Sequence, residues 1–256
     1  MNQPAVPVLA ILQARVSSSR LRRKVLKPIL GRPMLLHQID RVRRTRTLDA
    51  LVVATSTDPS DEAIEDLCAT AAVDCFRGSL ADVLDRFYQA ALRYRPQHIV
   101  RLTGDCPLAD PELIDRVVNV CIDEELDYSG AEPSFPDGLD VEAIRFSALE
   151  AAWREATRPS DREHVTQFIN RQRERFRVRG VANDVDLSHL RWTVDEPADF
   201  ELVTRIYEAL YPTNPAFTTR DILDLLARQP ELATLNTGIM RNEGLAKSLA
   251  ADPPEN

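Results

Sequence analysis

Residues Leu9–Ile29 read LAILQARVSSSRLRRKVLKPI, an apolar run that breaks abruptly into hydroxyls and cations. The run VPVLAILQA, rich in Val, Ile and Leu and bounded by polar residues, predicts a buried β-strand. After it come three serines and the cations Arg15, Arg20, Arg22, Arg23 and Lys24. A loop of this composition at the end of a buried strand suits a compact anion. Arg15, Arg20 and Lys24 are expected to neutralise such an anion, a triphosphate for example, with Ser17, Ser18, Ser19 and the main chain from Gln13 and Ala14 onward orienting it. A solvated basic loop is the competing reading, and the position directly after the first strand argues against it.

The same pattern repeats outward. RPMLLHQIDRVRR has apolar residues at helical spacing, with Pro33 suited to a first turn. ALVVATS predicts a strand, DPSDEAIEDLCATAA a helix with acids in its first turn, and DCFRG a short strand. LADVLDRFYQAALRY predicts a helix, HIVRLTG a strand, and DPELIDRVVNVCIDE a helix. This alternation defines an α/β fold, a mostly parallel, Rossmann-like sheet flanked by helices on both faces. The ligand crevice of such sheets lies beyond the strands' carboxyl ends, so the first loop and GDCPLADP are expected to converge there. After about residue 128 the rhythm changes. PDGLDVEAI and VRGVAN…LRWTVDE predict added strands between helices, PADFELVTRIYEALY and RDILDLLARQPEL late helices, and AADPPEN a frayed tail.

Composition narrows the function. The 256 residues are 44% hydrophobic, enough for a sizeable core. The net charge of −8 argues against nucleic acid or anionic membrane as a partner. That balance hides an asymmetry: from Arg15 to Arg46 there are eleven bases and one acid, Asp40. The four cysteines have no CxxC spacing and the four histidines are scattered, which disfavours zinc. Cys68 and Cys121 fall in helical patterns and are expected as buried apolar groups, as are Trp153 and Trp192. No apolar run approaches the roughly 20 residues needed to cross a bilayer, and no signal peptide is recognisable, so a reduced, soluble, cytoplasmic chain is expected.

GxxxxGK[ST] and GxGxxG are both missing from a chain with only eight glycines, which weakens P-loop and dinucleotide-binding readings. QARVSSSRLRRKVLKPILGRPML instead resembles the opening of cytidylyltransferases of the spore-coat polysaccharide biosynthesis protein F type. These are relatives of the acylneuraminate and 3-deoxy-manno-octulosonate cytidylyltransferases. The resemblance extends through FRGSLADVLDRFYQAA, RLTGDCPLADPELID, PDGLDVEAI, DREHVT, RWTVDEPADFELV and RNEGLAKSL, nearly the whole chain in order. It implies a nucleotide-diphospho-sugar transferase (glycosyltransferase A-like) architecture. One nucleotidyltransferase domain would span residues 1–247, with an insertion at roughly 128–190 and a flexible tail at 248–256. It also implies CTP as co-substrate, a small acidic, sugar-like acceptor, and a homodimer.

The usual loop of that family resembles QARMGSTRLPGKVL. Ser17 stands here where glycine is usual, and Arg22-Arg23 where Pro-Gly is usual, while Arg15, Arg20, Lys24, Val25 and Leu26 match and Ser19 keeps a hydroxyl where the quoted loop has threonine. The resemblance assigns Asp105 and Asp195 to a catalytic Mg²⁺, with Mn²⁺ as a substitute. Two carboxylates with phosphate oxygens and water suit such a hard cation. Both also stand before Pro-containing turns, so a turn or N-cap role competes. With Thr103 beside Asp105, and Arg77 and Ser79 placed near the base, the nucleotide site is complete. Asp137, Asp140, Glu142, Glu163 and His164 are candidates for acceptor contacts. Asp137-Gly138 as a tight turn, and Asp161 as a helix cap, are the plain alternatives.

Three reactions compete. CTP-dependent nucleotidyl transfer leads. A glycosyltransferase would require a DxD motif, but Pro107 follows where the second acid belongs. A non-catalytic nucleotide-binding relative is suggested by the altered loop and opposed by retention of both acids.

Overall fold

The computed structural model describes residues 7–18 and 20–253; Ser19, expected on the triphosphate, lies outside the described residues. The chain opens with β1 (Val8–Gln13), a small hairpin of β2 (Pro28–Ile29) and β3 (Arg32–Pro33), and α1 (Met34–Val42). Then follow β4 (Ala50–Ser56), α2 (Glu62–Thr70), β5 (Asp74–Gly78), α3 (Val83–Tyr94), β6 (His98–Thr103) and α4 (Pro111–Asp123). The expected alternation is therefore present up to residue 123.

The main sheet has the order β5-β4-β1-β6, continued by β8 (Glu142–Arg145), β7 (Tyr128–Ala131) and β9 (Val178–Val181). β5, β4, β1 and β6 run parallel, and β8 is antiparallel to both its neighbours. The chain moves from β1 outward to β4 and β5, then returns to place β6 on the other side of β1. That reversal opens a crevice at the carboxyl ends of β1 and β6.

Side-chain alternation along β1 divides the core. Ala10 and Leu12 join Val53, Leu102, Val117 and Ile206 on one face, while Leu9 and Ile11 join Phe87, Ile144 and Leu149 on the other. Leu9, Ile11 and Leu12 are fully enclosed. Truncating one to Ala costs about 2–5 kcal/mol. Burial on both faces is why the run in the sequence is continuous rather than alternating.

The later elements are α5 (Phe146–Glu155), α6 (Pro159–His164), α7 (Gln167–Arg171), α8 (Pro197–Leu210), α9 (Thr219–Arg228) and α10 (Glu243–Ala250). Several expectations are corrected here. LRWTVDE is not a strand: its amides donate to loop carbonyls, Trp192 and Thr193 to Asp137, and Val194 to Asp105. Those partners satisfy the backbone without a sheet ladder. Only the last part of PDGLDVEAI joins the sheet, as β8, while Asp137 forms an isolated bridge to Arg191. Residues 248–250 are not a loose tail, since they complete α10, and Asp252 accepts hydrogen bonds from Ser160.

Candidate active site

The loop after β1 is anchored from below. Asp61, fully buried, accepts from the Val16 amide at 2.7 Å and from the Ser56 amide at 3.1 Å, tying the loop to the end of β4. Nothing in the sequence marked Asp61 for this role. Arg23 adopts φ 55°, the left-handed conformation that a glycine takes without penalty. The Arg-for-Gly departure therefore keeps the loop's path and stores about 1–2 kcal/mol of backbone strain. Ser17, at the other departure, is not left-handed.

β6 ends at Thr103, and Gly104 carries the chain past β1. A Cβ on Gly104 would lie 3.0 Å from the Gln13 carbonyl, so a side chain there would press the two strand ends apart by a few tenths of an ångström. Asp105 follows. Its carbonyl accepts the Val194 amide at 2.8 Å, which brings the segment carrying Asp195 alongside the end of β6. Gly138, at φ 102°, lets the Asp137 turn close on the same segment; a Cβ there would lie 2.3 Å from the Thr193 nitrogen.

These loops surround a cavity of about 820 Å³. The Lys24 ammonium lies inside, 3.1 Å from Asp105 and 2.7 Å from Asp195. Burial pulls the Lys24 pKa down, but the two carboxylates outweigh it and hold it above its ordinary value. Burial would likewise raise Asp105; the Lys24 charge and Thr103 prevail and hold it at about 2. Arg20 reaches Asp195 at 3.1 Å, Glu196 at 3.5 Å and Glu243 at 3.2 Å. Gln13, Ala14, Arg15 and Ser18 line the same wall. Ser17 is exposed and does not line it.

Asp195 is held from behind by a buried network that sequence reasoning missed. Arg191 grips Asp199 through Nε and Nη2, both at 3.0 Å, donates to Asp137 at 2.6 Å, and reaches Asp195 at 3.3 Å. Asp199 also accepts the Asp195 and Glu196 amides, at 3.0 and 2.9 Å, and the Asn236 side chain at 2.8 Å. The acids of RWTVDEPAD, four and eight residues after Arg191, were the available signal.

The acceptor candidates Asp137, Asp140, Glu142, Glu163 and His164 line the same cavity. Glu142 pairs with Arg101 and accepts from Tyr128 and Thr166, both at 2.7 Å. Asp140 accepts from the Gly138 amide at 3.0 Å and from Arg241 at 3.1 Å. Burial and the neighbouring Asp140 push Asp137 up to about 6, against the pull of Arg191 and Arg241. Glu163 and His164 close α6 rather than opening a helix, and both bond Ser248 of α10, at 2.6 and 3.0 Å. Burial lowers the His164 pKa. Asp161 is not a cap; it forms a two-pronged pair with Arg171 at 2.6 Å.

Arg77 and Ser79 do not line the cavity. Arg77 is turned onto the Ser56 and Asp58 carbonyls and Glu65, and the Ser79 hydroxyl accepts the Asp82 amide at 3.0 Å. Their short side chain and clamped guanidinium serve the β4–α2 and β5–α3 turns. Cys68 and Cys121 are buried thiols and Trp192 is core, while half-buried Trp153 stacks on Tyr88 at 4.0 Å. Among the described residues no helix is long and apolar enough to cross a membrane.

Among the described residues no cluster of three or more His, Cys, Asp or Glu side chains is arranged to hold a metal. Asp105 and Asp195 nevertheless converge on one cation, the Lys24 ammonium, with oxygens that suit a hard ion completed by phosphate and water. That donor set fits a divalent metal arriving with a nucleotide.

A mostly parallel sheet with a basic loop and two carboxylates over its switch point defines a nucleotidyltransferase. Residues 9–229 match the cytidylyltransferase family model, and the chain belongs to that family as a CTP-dependent nucleotidyltransferase. An uncharacterised protein of Methanocaldococcus jannaschii is 36% identical over 234 residues, 91% of this chain and 95% of that protein. Spore coat polysaccharide biosynthesis protein SpsF of Bacillus subtilis is 32% identical over 234 residues, 89% of this chain and 97% of that one. The structure of a cytidylyltransferase from Leptospira borgpetersenii superposes with a TM-score of 0.83 at 26% identity, covering 92% of this chain and 98% of that chain.

Proposed function

We propose that this enzyme transfers CMP from CTP to a small acidic, sugar-like acceptor, releasing pyrophosphate, in the synthesis of a surface polysaccharide or glycoconjugate. An acceptor oxygen attacks the α-phosphorus, and the bond to the β-phosphate oxygen breaks. The observation that carries the reading is the meeting of Lys24, Asp105 and Asp195 in one cavity beside the basic loop.

Each residue has a part set by its place. Arg15 is exposed at the cavity wall and offsets charge on the departing pyrophosphate. Lys24 bridges the two carboxylates in the free enzyme and is positioned to follow the phosphate chain once it binds. Asp105 and Asp195 would hold Mg²⁺ or Mn²⁺, which supplies charge neutralisation and Lewis acidity at the phosphates. Asp140, Glu142, Glu163 and His164 line the acceptor end, where fixed hydrogen bonds orient hydroxyls for attack. The likeness to SpsF supports the polysaccharide context.

The test is pyrophosphate release from each of CTP, UTP, ATP and GTP against a library of sugar acids, 2-keto-3-deoxy acids included. Release with CTP and an acidic acceptor is expected, and Asp105→Ala should slow it by about 100-fold or more. Full CTP-dependent release by Asp105→Ala would overturn the assignment.

A further inference from the structure

The cavity wall separates its cations into two kinds. Arg20, Lys24, Arg101, Arg162 and Arg191 each meet a carboxylate. Arg86 does not. It is 3% exposed, yet its guanidinium makes one hydrogen bond, from Nη1 to the Ser79 carbonyl at 2.8 Å. Its Nε is enclosed with no partner among the described residues. A guanidinium carries five N–H donors, so most of this group's capacity is unused. A buried cation left in that state is costly unless a ligand completes it.

Its position is rigid. Arg86 lies in the first turn of α3, whose cap Asp82 accepts the Asp85 amide at 2.9 Å and is itself held by Arg162. Gly78 makes room for it, since a Cβ there would stand 3.0 Å from the Arg86 Cγ. Burial, then the charge of Arg15, push its pKa down to about 10 against the pull of Asp61 and Asp82, so the group remains a cation at neutral pH. The same cavity also has apolar lining, Ala14, Leu80, Ala81 and Val83, and Leu80 is 38% exposed. Apolar surfaces with one fixed polar group are what a flat heterocycle requires.

Cytosine offers two adjacent acceptors, O2 and N3. Uracil keeps O2 but carries a hydrogen on N3, which would face a donor with a donor. We infer that Arg86 is the residue that selects cytosine, its unused donors reading the O2/N3 edge of a base lying against Leu80 and Ala81. This rests on the CTP reading above and adds to it the source of base selectivity, which Arg77 does not supply.

The experiment is calorimetric binding of CTP and of UTP, with Mg²⁺ and no acceptor, to the full chain and to Arg86→Met. The unaltered chain should prefer CTP by about 100-fold or more, as sites built to pair a specific polar edge do. Arg86→Met should lose that preference while UTP binding changes by less than about threefold. Retained preference in Arg86→Met overturns the assignment. So does an equal loss for both nucleotides, which would place Arg86 on the triphosphate they share. Should Arg86→Met melt before it can be titrated, CMP and 3-deaza-CMP are compared on the unaltered chain. Loss of the N3 acceptor should weaken binding by about tenfold or more, and equal binding overturns the proposal. An unaltered chain that binds no CTP defeats the cytidylyl reading itself, a result distinct from any behaviour of the variant.

Discussion

The Lys24 ammonium stands 2.7 Å from Oδ1 of Asp195, a residue 171 positions away in the chain. With Asp105 on its other side, Lys24 is the cation around which the two carboxylates of the nucleotide-free enzyme are gathered. That relationship makes the first prediction. Lys24→Met leaves two carboxylates facing each other, and it should destabilise the free protein by about 1–3 kcal/mol, the pair being partly solvated. Mg²⁺ or Mn²⁺ should then raise the melting temperature of Lys24→Met more than that of the unaltered chain. Equal metal responses would show that Asp105 and Asp195 do not share a cation site.

Asp199 makes five hydrogen bonds while fully buried, two of them to Arg191. Asp199→Asn leaves the Arg191 charge without its main partner. A loss of about 3–5 kcal/mol in urea unfolding is expected. Because Asp195 loses its backbone anchor, Mn²⁺ affinity in the folded protein should fall as well. A purely structural role would lower stability and leave metal affinity unchanged.

Asp137 supplies a pH dependence. Its folded pKa is raised to about 6 from the model-compound value of 3.8, first by burial and then by Asp140. The folded state therefore binds more protons than the unfolded chain between those values. Its contribution is present in full below pH 3.8 and is lost as pH rises through about 6. Asp137→Asn should flatten the decline in stability across that window, measured by chemical denaturation at a series of pH values. An unchanged slope would assign the proton uptake elsewhere.

Arg77 is predicted to matter for stability and not for nucleotide. Its bonds run to the Ser56 and Asp58 carbonyls, both at 3.0 Å, away from the cavity. Arg77→Ala should cost about 1–2 kcal/mol and leave the Kd for CTP within roughly twofold, by calorimetry. A large loss of CTP affinity with intact stability would return Arg77 to the base site.

How much of this was legible in the chain follows from the range of each interaction. The strand at Leu9–Gln13, the alternation through Asp123 and the basic loop are local patterns. Apolar content, helical spacing and turn chemistry act over a few residues, so they can be read in order. The pairing of Asp105 with Asp195 was legible through resemblance, and so was the placing of Arg77 near the base. The first pair does meet, whereas Arg77 is drawn off by carbonyls of a neighbouring turn. A residue type and its place in a motif do not state which acceptor the folded chain will bring within 3 Å.

What the amino-acid order determined by itself was the layered α/β sheet and the place of its crevice, because periodicity and burial are properties of neighbouring residues. Only the folded chain decided which charges neutralise one another. Arg191 meets Asp137 across 54 positions and Lys24 meets Asp195 across 171, while Arg86 donates to the Ser79 carbonyl rather than to a carboxylate. Charge pairing depends on distances of a few ångströms between loops that the sheet brings together, and those distances exist only after the backbone has closed.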